Sequence, residues 1–404
     1  MAVQYIIQGK KISLDDKDFQ ASLKTAYPQK VRPLCTCKQP PVAMYIAQVN
    51  GHLIVKRMPN TGSDHDLECG SYEIPVGLSG LGQVLGSAIK ENSADGLTAL
   101  KFGFSLSKGP TRTIPTGNGE EKGSVKTDGN KLSLRGTLHY LWEQAGFNKW
   151  SSGMAGKRNW YVIRKYLYEA AKDKTAKNVS LDTLLYIPET FKLDQKDELT
   201  QRRLAGIHSL RNGDNKYKQL MLMVGEVKEI TSARFGYKMV VKHLPDFPIM
   251  LNDDIYHRVC KRFNVELELW SANENGHLMV IGTFGINDSG IPSFEEIALM
   301  MVTENWIPYD NADELRLINS LTQANQRFIK CLRYNLPSTV PTASVLLSGK
   351  DKSITALFIC PASATEIYRH DLSELIGNSD INTWLWDAGH DVLPKFPFQL
   401  NSLN

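Results

Sequence analysis

The chain has 404 residues, 42% hydrophobic and 22% charged, the balance of a folded protein with enough apolar material for real cores, and its length predicts two to four compact units. A formal net charge of +4 is too small to imply nucleic acid by itself, so basic character has to be read locally. No apolar run approaches the ~18 residues that cross a bilayer, and MAVQYIIQGKK lacks the charged start and apolar core of a secretory signal; a cytoplasmic protein with reduced thiols and no membrane partner is expected.

Residues 1–106 mix short strands with one or two helices. Their clearest element is a hairpin, Ala43–Val49 and His52–Met58 around Asn50-Gly51, because Asn-Gly supplies the positive φ angles of a tight type I′ turn. Residues 107–131, SKGPTRTIPTGNGEEKGSVKTDGNK, offer almost nothing apolar to bury and read as a linker or exposed loop. Residues 132–215 read as a basic helical unit. Leu138, Leu141, Trp142 and Ala145 share one helix face, and after a loop Trp160, Ile163, Leu167 and Ala171 repeat the period; a further amphipathic stretch covers about 196–210. Residues 216–290 form a middle α/β unit containing a second hairpin, LMLMVGEVKEI and YKMVVKHL. Residues 291–404 read as an α/β unit: a helix at 312–324, strands at Phe328–Tyr334, Ala343–Leu347 and Ile354–Cys360, a helix at 363–376 and a last strand at Thr383–Trp386. The fold class is therefore α+β with several subdomains.

Three of the six cysteines gather near the N-terminus. Cys35 and Cys37 form C-x-C, and 27 residues later His65 and Cys69 form H-x-x-x-C. Structural zinc takes four thiolate or imidazole ligands in a tetrahedron, commonly two from each of two segments. The hairpin pairs Val49 with His52, hence Ala43 with Met58, and so returns the chain close to where it began. Cys35, Cys37, His65 and Cys69 are the predicted ligands of one structural Zn²⁺, and the hairpin becomes the centre of a zinc-stabilised N-terminal module. The alternative is three ordinary reduced cysteines and an exposed histidine. His52, at the far end of the hairpin, is the weaker substitute ligand. Cys260, Cys331 and Cys360 read as small buried residues.

The segment PLCTCKQPPVAMYIAQVNGHLIVKRMPNTGSDHDLECGSYEIP resembles the N-terminal signature of a bacterial family described only as domain of unknown function 1173, whose three N-terminal cysteines Cys35, Cys37 and Cys69 match. LHYLWEQAGFNKWSSGMAGKRNW resembles the same family. The resemblance implies occurrence in bacteria, often with plasmids and integrative elements, and implies no activity.

Residues 149–177 carry eight basic side chains against Glu169 and Asp173, a local net charge of +6. Lys157/Arg158, Arg164/Lys165 and Lys172 recur every seven residues, which keeps them on one side of a helix, and such a face suits phosphate. These five are the predicted contacts to DNA or RNA. A solvated helix face is the alternative. Trp150 and Trp160 are candidates for base stacking, against the more frequent role of core aromatics. The two helices only loosely resemble a helix-turn-helix, since the loop at Gly146–Ala155 is too long for that turn.

Catalytic signatures are missing. Gly156-Lys157-Arg158 lacks the first glycine and the hydroxyl of a phosphate loop, and Gly80-Leu81-Gly82 lacks the strand and acid of a dinucleotide site. The C-terminal unit resembles the PD-(D/E)xK nuclease core in element order. Its third strand, SITALFIC, has neither the acid nor the lysine that would hold Mg²⁺ and activate water, and Asp351 and Lys352 lie in the preceding turn. The resemblance is to a degraded copy. The expectation is a zinc-containing, non-enzymatic nucleic-acid-binding accessory protein of bacterial mobile elements. The alternatives are a metal-dependent nuclease-like enzyme using the C-terminal unit, and a scaffold that binds proteins.

Overall fold

A computed structural model describes residues 4–49, 51–93, 95–109, 129–210, 218–349 and 353–396. Most of the predicted linker, Asn50, Asp351 and Lys352 lie outside the described residues. The architecture is mixed α+β with several sheets.

Strands β1 (Gln4–Ile7) and β2 (Lys10–Ser13) form a first hairpin. Helix α1 (Phe19–Ala26) buries Phe19, Leu23 and Ala26, residues spaced to share one face. With β3 (Leu34–Cys35), β4 (Val42–Val49) and β5 (His52–Arg57), the strands make an antiparallel sheet in the order β2-β1-β3-β4-β5. The predicted register holds: Val49 faces His52, Met44 faces Arg57, and Gly51 takes φ +80°.

After β6 (Ile89–Glu91) and β7 (Thr98–Leu100) come the two predicted helices, α2 (Leu134–Gln144) and α3 (Trp160–Ala171), separated by β8 (Lys149–Trp150). Each starts on a side-chain cap: the Gly136 N–H donates to Ser133 and the Val162 N–H to Asn159. Helix α3 therefore begins after Lys157 and Arg158, which lie in the loop before it and not on the helix as the seven-residue spacing suggested. Trp150 and Trp160 are only 3% and 4% exposed, and the Trp160 indole donates to the Pro188 carbonyl; both are core residues with no face free for a base. Strands β9 (Lys174–Ala176), β10 (Val179–Ser180) and β11 (Leu185–Tyr186) and helix α4 (Lys196–Gly206) follow.

The next elements are β12 (Met221–Ser232), β13 (Tyr237–Val241), β14 (Ile249–Leu251), α5 (Asp253–Arg262), α6 (Asn264–Ala272), β15 (His277–Ile286) and β16 (Pro292–Val302). The predicted hairpin, β12–β13, is part of a closed ring. β12 pairs with β13 and β15, β13 with β14, β14 in parallel with β16, and β16 with β15. Closure depends on β12 changing partner along its length: Met221–Glu226 face β15 and Val227–Ser232 face β13, with a register shift between Val227 and Glu229. Bulges and glycines let a strand turn such a corner. A Cβ at Gly225 would sit 2.6 Å from Val241, and one at Gly282 2.6 Å from the Phe294 ring. The ring order 1-2-3-5-4, with helix between strands three and four, is the connectivity of an OB-type barrel. Helix α2 packs on β15 and β16 from outside, so residues such as Leu278–Ile286 are buried throughout and their sequence runs apolar instead of alternating.

The C-terminal elements are β17 (Pro308–Tyr309), α7 (Ala312–Gln323), β18 (Phe328–Lys330), β19 (Val345–Ser348), β20 (Ile354–Cys360), α8 (Glu366–Gly377) and β21 (Asn382–Asp387). The sheet order is β21-β20-β19-β18-β8. The parallel pair β20–β21 is joined through α8, as a crossover requires. The strand expected to reach Tyr334 ends at Lys330, because the chain then leaves the sheet to meet α2. Tyr334, at φ +52°, donates its backbone N–H to His139 and its hydroxyl to Glu143, each at 2.9 Å.

Sheets cross the boundaries expected from sequence. β7 pairs in parallel with β9, β8 joins the C-terminal sheet, and β16 belongs to the barrel. One core runs from Leu81 to Phe396, and the N-terminal sheet has a small core of its own around Tyr5, Leu23 and Met44. Among the described residues no helix is long and apolar enough to cross a membrane.

Candidate metal centre

The four predicted ligands meet. Cys35 ends β3, held between Tyr5 of β1 and Val42 of β4, and Cys37 follows two residues on. Beyond β5 the chain turns back through Met58–Thr61, where the Thr61 hydroxyl donates to the Met58 carbonyl at 2.8 Å. It then crosses Glu73 at Gly62, where any Cβ would sit 2.4 Å from Glu73 Cβ; only glycine allows that approach. A short 3₁₀ turn, Gly62–Asp64, then delivers His65, and Cys69 lies one further turn along.

Cys35 Sγ lies 3.8 Å from Cys69 Sγ, far beyond a disulfide bond of about 2.05 Å. His65 Nδ1 is 3.3 Å from Cys37 Sγ and 3.7 Å from Cys69 Sγ, and the four donor atoms all lie within 4.8 Å of one another. The Asp66 and Ser71 backbone N–H groups donate to Cys37 Sγ (3.5 Å) and Cys69 Sγ (3.4 Å). Contact with the Cys35 thiol, helped by His65 and the Ser71 N–H, holds the Cys69 thiol down to about 4 against the effect of burial. The same contact with Cys69, together with burial, pushes Cys35 up. Three sulfurs this close repel once ionised, and a cation at their centre turns that repulsion into binding. This Cys₃His cluster can hold a metal ion, and with four protein donors it leaves no ligand position open. A cleft lined by Lys38, Gln39, Leu67, Ser348 and Ile354 reaches Cys37 and His65 from one side.

The five basic residues predicted from sequence separate into two groups. Lys157, Lys165 and Lys172 are exposed, with Lys165 4.0 Å from Glu169. Arg158 turns inward. Its guanidinium donates to the carbonyls of Phe147 and Asn305 at 3.0 Å each, and also to those of Gly146 and Lys149. Arg164 donates to the Ile187 carbonyl at 3.0 Å, lies over the Tyr168 ring and borders a cavity shared with Arg203 and His243. Two more cations of the +6 stretch are internal: Lys149 reaches the Cys69 carbonyl and Lys174 is buried against Asp173. Charge counting cannot distinguish a cation facing water from one facing carbonyls.

In the C-terminal unit, β20 carries no acid or lysine, as read from sequence. The ionisable cluster there was missed. Lys330 of β18 and Glu314 of α7, 2% and 4% exposed in their side chains, pair at 2.9 Å, beside Asp310 and Arg333 at 3.1 Å. Burial alone would raise the Asp310 carboxyl, but Lys330, Arg333 and Arg135 hold it down to about 2. The available signal was a lysine inside an apolar strand, Phe-Ile-Lys-Cys-Leu. Lys330 and Glu314 are enclosed and Arg333 nearly so, with Asp310 22% exposed at the margin, so the cluster reads as an internal brace.

No curated protein and no solved structure matches the chain. A family model described as "Protein of unknown function (DUF1173)" matches residues 5–389, which take in the Cys₃His cluster, the barrel and the C-terminal sheet. The chain belongs to the DUF1173 family.

Proposed function

We propose that the chain holds one zinc ion as a structural element and acts by binding nucleic acid, without catalysis. The observation carrying the zinc reading is the spacing of the donors. Zn–S bonds of about 2.3 Å and Zn–N bonds of about 2.0 Å set at tetrahedral angles separate sulfurs by about 3.8 Å and sulfur from nitrogen by about 3.5 Å. The Sγ–Sγ distance is 3.8 Å, and the two Sγ–Nδ1 distances are 3.3 and 3.7 Å. Soft thiolates select zinc over magnesium or calcium, and a full ligand set favours a structural role. Elemental analysis of purified chain tests this. About one zinc per chain is expected, lost in Cys35→Ser and Cys69→Ser; folded protein without stoichiometric metal would end the reading.

The nucleic-acid reading rests on the exposed Lys157, Lys165 and Lys172, with Arg158 and Arg164 shaping the surface from within. The setting in bacterial mobile elements rests on the family resemblance alone. Titration against labelled DNA and RNA at rising salt is the test, since phosphate contacts lose affinity steeply with salt; no binding at low salt would refute it. The helix–strand–strand–strand–helix–strand order favours a second reading, a nuclease-like C-terminal unit. A β20 with neither acid nor lysine makes it one without metal chemistry on that strand.

A further inference from the structure

The barrel register gathers two loops and one outward row of side chains on a single face. Lys238 pairs with Thr231 of β12 and Met250 of β14, and Met250 pairs with Ser293 of β16. Their inward neighbours Met239, Ile249 and Phe294 are at most 1% exposed, so by strand alternation Thr231, Lys238, Met250 and Ser293 point outward. This row crosses four strands, a width of about 14 Å. The β12–β13 loop, 233–236, stands beside it, because Tyr237 pairs with Leu251 at the end of β14. The β15–β16 loop, 287–291, stands on the other side, because it leads into Ser293.

The first loop carries a side chain that its turn does not need. Gly236 is required, at φ +72° and with no room for a Cβ against the Leu251 carbonyl. Phe235 is not, yet its ring is 78% exposed, with the Arg234 guanidinium 5.4 Å from its centroid. Lys228, Arg234 and Lys238 have no acidic partner among the described residues; Glu229 lies on the same edge, and the exposed Asp253 and Asp254 follow Asn252, which touches Gly236. On the opposite loop Ile291 is 46% exposed, and Asp288 is neutralised by Lys218 at 2.6 Å. An exposed aromatic ring backed by unpaired cations fits a polyanion that presents flat apolar faces. Bases offer such faces only when unpaired.

We propose that a single strand of DNA or RNA crosses the β13–β14 face of the barrel, with a base stacked on Phe235 and phosphates held by Lys228, Arg234 and Lys238. This deepens the nucleic-acid reading and rests on it, while moving the principal contact away from the α3 lysines. The experiment measures fluorescence anisotropy of labelled 15-nucleotide single strands and of a duplex at several salt concentrations. Wild type is compared with Phe235→Ala, with Lys228→Ala/Lys238→Ala and with Lys165→Ala/Lys172→Ala; circular dichroism verifies the fold of each. Phe235→Ala should weaken single-strand binding roughly tenfold at every salt concentration. The Lys228/Lys238 double variant should reduce the salt slope by about 1.4, two phosphate contacts on a single strand, and duplex should bind more weakly. If only the Lys165/Lys172 variant loses affinity, or if duplex is preferred, the barrel site is wrong and nucleic-acid binding stands. If wild type binds neither form at low salt, both fall.

Discussion

Replacing Arg158 with alanine should damage the fold and leave the proposed nucleic-acid binding intact. The guanidinium bridges four backbone carbonyls, two of them, Phe147 and Asn305, from segments 158 residues apart, both at 3.0 Å, and it lies over the Phe147 ring. Each buried carbonyl deprived of its donor costs about 1–3 kcal/mol. Gly146, Lys149 and Asn305 are only half-buried, so water can replace part of the loss, and about 3 kcal/mol net is expected. With a urea m-value of about 2–3 kcal/mol/M for the unfolding unit, the midpoint should fall by about 1 M. Trp142 and Trp160, buried in the same core, report the transition by fluorescence. Arg158→Lys keeps the charge but not the planar fork and should recover less than half. The folded fraction of Arg158→Ala should bind oligonucleotide within about twofold of wild type. An unchanged midpoint together with lost affinity would refute the reasoning and return Arg158 to the surface set.

Lys330→Met should cost about 3–5 kcal/mol by stranding Glu314, and adding Glu314→Gln should recover much of it, measured by a double-mutant denaturation cycle. Burial pulls His139 down to about 3, below the usual 6.5 or so, so its neutral form is the folded one and stability should fall as pH drops from about 6.5 toward 3. Burial raises Glu143 to about 7, so its protonated form contributes stability below about 4.5 that is lost as pH rises through 7. Glu143→Gln keeps a partner for Tyr334 without titrating; its stability relative to wild type should rise between pH 5 and 8, by at most about 3 kcal/mol, read from urea midpoints. On the proposed zinc reading, treatment with a chelator should abolish hydrogen-exchange protection in β1–β5 while the barrel strands keep theirs, because the N-terminal core is small and a structural zinc would contribute folding energy directly.

Local chemistry made much of this protein legible from its residues. The Asn-Gly dipeptide predicts the register that β4 and β5 adopt, and that register returns the chain so that Cys35, Cys37, His65 and Cys69 lie within ligand distance. Apolar period placed α2 and α3, and the expected helices 312–324 and 363–376 match α7 and α8, within a few residues. The barrel was hidden because its closure joins β12 to β15, more than fifty residues away, through a change of partner that no periodicity records. Arg158 and Lys330 were hidden because packing turns them inward: Asn305, 147 residues away, completes the carbonyl set around Arg158, and helix α7 lays Glu314 against Lys330. Sequence spacing determines which side a residue faces along its own element; what stands opposite that side is decided only when the whole chain packs.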